Sequence, residues 1–331
     1  MQQVHHAGID VSAKTLQVAL AGSDQAVQQG TFANTPQGHR AVLQWLTKSG
    51  RSVHVGLEAT GLYSQTVAWA LHDHRRIEVM VINPKAIKHY THACMQRAKT
   101  DPLDAQLILD YTQRMPFAPW QPPDAASGQL QALTRRIGQL KRDLVAERTR
   151  LQAEGYRTGP TNLIARDIQV HIRHLQRRIA RLEEQAHALV ETTPPLQAAY
   201  QRLCSIPGIG PTAAVRLLAE LAGLPADMKP PQWVAYAGLD PKPRQSGTSV
   251  EGPRPISKVG NTHLRTALFM PALVAVRHDR HIQAFYQKRI DAGHKPKQAL
   301  VAVMRKLLHT IWGVWNHDQD FEGEKFYRNA A

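Results

Sequence analysis

The chain has 331 residues, of which 43% are hydrophobic, a composition typical of a folded protein long enough for two domains. Its formal net charge of +15 favours a polyanionic partner, above all nucleic acid. The two cysteines, Cys94 and Cys204, argue against a disulfide framework or a thiolate metal site. No stretch approaches the roughly 18 apolar residues of a membrane span, and the first residues lack the features of a signal peptide. We therefore expect a protein of the cytoplasm with no membrane partner.

The first 125 residues alternate between predicted strands and helices. Apolar alternation bounded by turn residues predicts the strands, and Thr35-Pro36 is a typical helix start. Three strands followed by alternating helix and strand indicate an α/β domain over residues 1–125, with a mixed sheet whose edge is the early hairpin. The predicted strands are Val4–Asp10, Thr15–Ala21, Gln28–Phe32, Ser52–Leu57 and Val79–Ile82.

A further helix is predicted to begin near Asp101. Because proline disfavours a helical conformation in the residue before it, Asp101 is expected at the N-cap, Pro102 at the first helical position and Asp104 two residues later. Residues three apart share a helix face, so both carboxylates point the same way. Two acids at a helix start also satisfy free N–H groups and the helix dipole, which is a purely structural explanation.

Two more acids favour a metal site over the explanation by helix capping alone. Asp10 ends the first predicted strand, and Glu58 stands at the end of a later one. If the first strand is central, the carboxyl ends of these two strands lie side by side. Crowded carboxylates repel each other unless a cation is present, and Mg²⁺ or Mn²⁺ would resolve the repulsion. Asp10, Glu58, Asp101 and Asp104 are therefore predicted metal ligands and catalytic residues, in the layout of a ribonuclease-H-like nuclease.

The middle of the chain, residues 126–192, carries two long helical patterns. Apolar residues recur at alternating spacings of three and four, as in a coiled coil, and Gly159-Pro160 lies in the predicted turn between the helices. The two helices can form a hairpin within one chain or a coiled coil between protomers, and the pattern does not choose. Arginines on the same helices are either a solvated face or a nucleic-acid contact.

Residues 193–331 are predicted to form a mainly helical domain that opens with a helix-hairpin-helix. Ile-Pro-Gly-Ile-Gly separates its two helices, and Gly208 and Gly210 would let the backbone approach a phosphate at the next helix start. An ordinary tight turn between helices is the alternative. Amphipathic helices are expected at His263–Val276 and Lys297–Trp312. The polar tail after Asn316 is expected to fray.

The stretch Pro241–Val259 is predicted to be an ordered loop, since it is rich in proline, glycine and cations and lacks apolar periodicity. Ser246 precedes a glycine and stands among cations, which suits attack of its hydroxyl on a phosphodiester. A basic loop that only touches a nucleic-acid backbone is the simpler alternative. The flanking cations are Arg244, Arg254 and Lys258.

Several of these motifs together resemble the DEDD transposases of the insertion-sequence family called "IS one-ten". The resemblance covers nearly the whole chain, in order and with similar spacings. It implies a RuvC-like domain joined to a serine-bearing domain, and a recombinase guided by a structured bridge RNA that pairs with target and donor DNA. It further implies assembly into dimers or tetramers through the coiled coil. The motifs that carry the resemblance are Gly8-Ile-Asp10, Glu58–Tyr63, Val81–Pro84, Lys99–Ala105, Ser205–Gly210, Tyr236–Pro241, Gln245–Val250 and Ser257–Asn261.

The motifs and the resemblance together predict an enzyme in which Ser246 attacks DNA and holds it as a phosphoserine ester, with metal assistance from the acids. Ser246 matches the family position; Thr248, Ser249 and Ser257 are rival nucleophiles. Lys99 joins the predicted nucleic-acid contacts. One alternative is a metal-dependent RuvC-like nuclease or junction resolvase in which water attacks. Another is a nucleic-acid-binding protein without catalysis, in which the acids are helix caps.

Overall fold

The computed structural model describes residues 4–22, 26–95, 101–157, 162–242, 245–246, 250–251 and 255–327. The chain divides near residue 122 into two units, Met1–Pro122 and Pro123–Ala331. The predicted segments 126–192 and 193–331 lie together in the second unit, because the first long helix of the middle segment packs on a helix of the segment that follows.

The first unit is built on a five-stranded sheet with its first strand in the middle. The strand order is β3-β2-β1-β4-β5, with β1 antiparallel to β2 and parallel to β4. The predicted mixed sheet, with the early hairpin at one edge, is confirmed. The strands are β1 His5–Val11, β2 Thr15–Ala21, β3 Val27–Ala33, β4 Val53–Glu58 and β5 Ile77–Ile82.

Helices cover both faces of this sheet. Alternate residues of β1, including Ile9, pack with β4, α1 and α2 in one apolar cluster, whereas Gly8 and Asp10 face α4. As predicted, Thr35 caps α1: its hydroxyl accepts a hydrogen bond from the Gly38 amide at 3.2 Å. Asp101 is already helical, one position later in the helix than the predicted N-cap, a shift within the usual variation of helix ends. The helices are α1 Pro36–Thr47, α2 Leu62–His72, α3 Pro84–Ala93 and α4 Asp101–Arg114.

The second unit opens with the two predicted long helices, α5 Ala125–Glu154 and α6 Asn162–Thr192. Lys141 pairs with Glu183 at 2.7 Å, and His171 lies 3.5 Å from Glu147, so the helices run antiparallel in a hairpin within one chain. Their apolar seams continue into the core of the following helices. The predicted turn residues Gly159 and Pro160 lie outside the described residues.

In the described part of the second unit, seven more helices pack around one apolar core. Trp233 is buried in it, and the predicted amphipathic helices are present as α10 and α12. The expectation of a frayed tail after Asn316 was wrong for its described part: Phe326 is 2% exposed because it packs on the core with Phe285. None of the described helices is both long and apolar enough to cross a membrane. These helices are α7 Pro194–Cys204, α8 Pro211–Leu221, α9 Pro230–Tyr236, α10 Thr262–His278, α11 Arg280–Asp291, α12 Pro296–Asn316 and α13 Gly323–Phe326.

Candidate active site

Two glycines on adjacent strands seat α4 directly on the sheet. Gly8 of β1 and Gly56 of β4 are register partners. A Cβ on Gly8 would overlap the backbone of Ala105 and Leu109, and one on Gly56 would overlap the hydroxyl of Thr112. Only glycine allows this approach, so the small residues at both positions fix the height and path of the helix.

The same geometry brings the four predicted acids to one end of the sheet. Asp10 and Glu58 each follow one of these glycines by two residues, so each lies on the face that carries α4. Ala105 and Leu109 of α4 lie against Gly8 of β1. Asp101 and Asp104 are in the turn of α4 that precedes Ala105. The sequence prediction that these side chains come together therefore has a structural basis in β1, β4 and α4.

The charges of the other three acids affect the ionisation of Asp10. The pKa of Asp10 is raised from 3.8 to about 6, first by burial and then by the negative charges of Asp104, Asp101 and Glu58. A partly buried carboxylate that experiences three other negative charges is costly to ionise. A nearby cation would remove that cost.

The donor chemistry of this group fits a hard divalent cation, since all four side chains offer carboxylate oxygens. As they are placed, however, the described residues contain no group of three or more His, Cys, Asp or Glu side chains arranged to hold a metal ion. The acids are therefore within electrostatic reach of one another without forming a closed set of ligands.

Ser246 lies on a short β-hairpin within the stretch that was predicted to be an ordered loop; the strand pairing itself was not predicted. Strand β6, Gln245–Ser246, pairs antiparallel with β7, Val250–Glu251, and Ser246 is opposite Val250. The sequence there has too few apolar residues to predict a strand. Arg244, Thr248, Ser249 and Arg254 lie outside the described residues, as does Lys99 in the first unit.

The base of this hairpin is held by a backbone ladder. Pro241 and Ile256 form a bridge, and the Ser257 amide donates to the Asp240 carbonyl at 2.8 Å. The Ser257 hydroxyl donates to the Asp240 carboxylate at 2.5 Å and so ties the two limbs together. Lys258, a predicted nucleic-acid contact, is exposed beside this tie.

A buried polar network beneath the hairpin escaped the sequence analysis. Glu220 of α8, 4% exposed, accepts two hydrogen bonds from Arg135 of α5, at 2.9 and 3.1 Å. It also accepts one from Asn261 at 2.7 Å, and Asn261 donates to the Tyr236 hydroxyl at 3.0 Å. Asn261 caps α10 directly after the returning limb. A charged residue inside the apolar stripe of α8 was the available signal.

The two glycines of the helix-hairpin-helix have different roles. Gly208 has a φ of +88°, and a Cβ there would overlap the backbone of Pro271 and Ala275 in α10. Its missing side chain is thus explained by helix packing and needs no phosphate. Gly210, the exposed N-cap of α8, has open space around it. Of the two predicted phosphate contacts, Gly210 has the geometry for an approach from outside.

Comparisons with known proteins cover most of the chain. A family described as transposase, of the DEDD IS110 type, matches residues 7–154, and the "Transposase IS116/IS110/IS902 family" matches residues 200–287. The pilin gene-inverting protein of Moraxella bovis is 31% identical over 95% of this chain and 97% of its own length. A putative transposase of Sinorhizobium fredii, y4rJ, is 30% identical over 92% of this chain and 86% of its own. RuvC of T. thermophilus, solved with a Holliday junction substrate, matches 35% of this chain and 99% of its own at 16% identity, with a TM-score of 0.27.

The two family matches and the curated relatives define the class as transposases and recombinases, enzymes that bind DNA, cleave it and transfer its strands. More narrowly, the chain belongs to the IS116/IS110/IS902 family of transposases, the family that its motifs resemble.

Proposed function

We propose that this transposase cleaves and rejoins DNA through a covalent phosphoserine intermediate at Ser246. The observation that carries the proposal is the position of Ser246 on a hairpin whose base is fixed by the Asp240–Ser257 tie and by Asn261. The Ser246 oxygen attacks phosphorus, one P–O bond of the strand breaks, and the departing oxygen gains a proton while the serine loses one. A hydroxyl of another DNA end reverses the step. Because each broken ester bond is replaced by another, rejoining needs no ATP.

The four acids are proposed to hold Mg²⁺ or Mn²⁺ beside the scissile phosphate. The raised pKa of Asp10 supports this, because it reflects a local excess of negative charge that a cation would offset. When bound, the metal would supply positive charge that stabilises the phosphate and lowers the pKa of a nearby hydroxyl. Asp10, Glu58, Asp101 and Asp104 would orient it from the sheet and from α4.

A structured bridge RNA and a second protomer complete the proposal. The net charge of +15 supports a second polyanion, and α6 exposes three arginines spaced by four residues: Arg173, Arg177 and Arg181. Assembly into a dimer or tetramer is supported by apolar side chains that stay exposed on α6, such as Leu163 at 80% and Val170 at 53%. Lys99, Arg244, Arg254, Lys258 and Gly210 are the proposed DNA or RNA contacts. The enzyme would act in the cytoplasm, where donor and target DNA lie.

A covalent adduct between protein and DNA tests the proposal directly. Purified protein, Mg²⁺, element-junction DNA and the RNA transcribed beside the gene are mixed and separated on a denaturing gel. We expect an adduct that is lost in Ser246→Ala and only weakened in Ser257→Ala, which removes the tie at the base of the hairpin but leaves the nucleophile. An adduct that persists in Ser246→Ala and is lost in Ser257→Ala would assign the nucleophile to Ser257.

A metal-dependent nuclease without a covalent intermediate is the second candidate, favoured by the acid group alone. In that case water attacks, the products are hydrolysed ends, and Ser246→Ala cleaves as well as the parent chain. Cleavage without an adduct, abolished in Asp10→Asn but not in Ser246→Ala, would establish this second function.

A further inference from the structure

A cavity on the outer helices of the second unit is lined by cations. It has a volume of about 360 Å³ and lies between α11 and α12. Arg289 follows Phe285 by one helical turn on α11, while Ala302, Lys306 and His309 repeat along one face of α12. Arg305 completes the lining. Within the described part of the chain, no carboxylate lines this cavity.

Aromatic rings hold one of these cations in place. The Lys306 ammonium is 4.6 Å from the ring centre of Phe285 and 5.2 Å from those of Phe326 and Tyr327. The Arg289 guanidinium lies 5.1 Å from the Phe285 ring. Cation–π contacts of this kind orient a cation without neutralising its charge. The charged groups are therefore organised before any anion arrives.

The positive charge is not balanced by described neighbours. Neither Arg289, Arg305 nor Lys306 forms an ion pair with a described residue, and the Arg289 Nε is buried without a hydrogen-bond acceptor there. Burial and the charges of Arg289 and Lys288 lower the pKa of Lys306, and burial with Arg305 and Lys306 lowers that of His309. An anion would relieve both effects.

We propose that this cavity binds one phosphate of a nucleic-acid strand, held by Arg289, Arg305 and Lys306. Guanidinium groups offer paired donors that match phosphate oxygens, and a rigid ammonium adds a point charge. The site shares no residue with the acid group or the Ser246 hairpin. It would anchor the backbone of DNA or RNA without reading its sequence. The inference rests on the proposed action on nucleic acid, but it does not depend on the chemistry at Ser246.

The salt dependence of binding tests the site. Binding of a fluorescent DNA duplex and of an RNA hairpin is measured by anisotropy at several salt concentrations, in EDTA and in the Ser246→Ala chain, so that neither cleavage nor an adduct contributes. Arg305 is exposed, so Arg305→Gln is expected to fold normally. It should reduce the slope of log K against log salt by about 0.9 on a duplex, the value of one phosphate contact. Lys297→Gln is the matched control, since it also removes an exposed charge, from the start of the same helix.

The outcomes separate the possibilities. Combining Arg289→Gln with Arg305→Gln should lower the slope little further than Arg305→Gln alone, because both side chains hold the same phosphate. If the double variant instead loses about twice as much slope as Arg305→Gln, the two arginines contact separate phosphates, and the single site is refuted. A slope for Arg305→Gln equal to that of Lys297→Gln, on both DNA and RNA, would also overturn it. Inorganic phosphate is the probe for a free anion. If it raises the melting temperature of the parent chain but not of Arg305→Gln, while the slopes are unchanged, the cavity binds free phosphate and the assignment to a strand is wrong.

Discussion

Replacing Asp10 by Asn should stabilise the metal-free protein above pH 6 while abolishing DNA cleavage. The folded-state pKa of Asp10 is raised from 3.8 to about 6, so the folded state binds the proton more tightly than the unfolded state does. The contribution of Asp10 to the free energy of unfolding is fully present below pH 3.8 and is lost as the pH rises through 6. Asn removes that loss because it carries no charge at any pH.

The magnitude follows from the shift. A rise from 3.8 to about 6 corresponds to about 3 kcal/mol before solvent screening, at about 1.4 kcal/mol for each pH unit. Asp10 is only partly buried, and screening by solvent reduces the expected gain to about 1–1.5 kcal/mol. The free energy of unfolding of the two proteins should therefore be nearly equal at pH 4 and differ by that amount at pH 8.

Urea unfolding in EDTA at the two pH values measures this difference. Asp227→Asn serves as the control for net charge, since it removes an exposed carboxylate from the other unit. Mg²⁺ at pH 8 should then stabilise the parent chain more than Asp10→Asn and reduce or reverse the gap. If Asp10→Asn is less stable at pH 8, or if its gain is the same at both pH values, the acids do not repel one another as argued.

Four further substitutions test the packing that positions the sites. Gly8→Ala should destabilise the first unit by about 1–3 kcal/mol or more, because the methyl group displaces α4; a loss below 0.5 kcal/mol in urea unfolding would contradict the seating of α4. Gly208→Ala should destabilise the chain by a similar amount, whereas Gly210→Ala should not; equal melting temperatures for the two would refute the division of roles. Glu220→Ala should cost about 3 kcal/mol, since it leaves the partly buried Arg135 without its partner; a neutral result would show that the network does not hold the base of the hairpin.

The sequence predicted the first unit well because its signals are local. Short apolar runs and turn residues marked the strands, and the neighbouring positions of Asp10 and Glu58 followed from the rule that parallel strands end at the same edge. The reason that Asp101 and Asp104 reach Asp10 was not visible. It depends on Gly8 and Gly56, whose importance appears only when a helix lies across both strands.

The second unit was harder to predict because its key contacts join distant segments. Arg135 and Glu220 are 85 positions apart, and nothing in either helix pattern pairs them. The Ser246 hairpin is paired through Gln245–Glu251, Ser246–Val250 and a Pro241–Ile256 bridge, and this short stretch has no alternating apolar pattern to detect. Phe326 packs on the core from a stretch that is polar on average, so composition predicted fraying where a single aromatic side chain prevents it.

The acid group and the cation cavity share one physical feature: each gathers like charges at a cost to the folded state. At Asp10 the cost raises a pKa; at Lys306 it lowers one. A fold under selection for stability alone would place a counter-charge at each position. If the Asp10→Asn gain disappears in Mg²⁺, the first arrangement is explained by a metal. If Arg305→Gln reduces the salt dependence of binding by the value of one phosphate contact, the cation cavity is explained by a nucleic-acid backbone. The two tests are independent, because the substituted residues lie in different units.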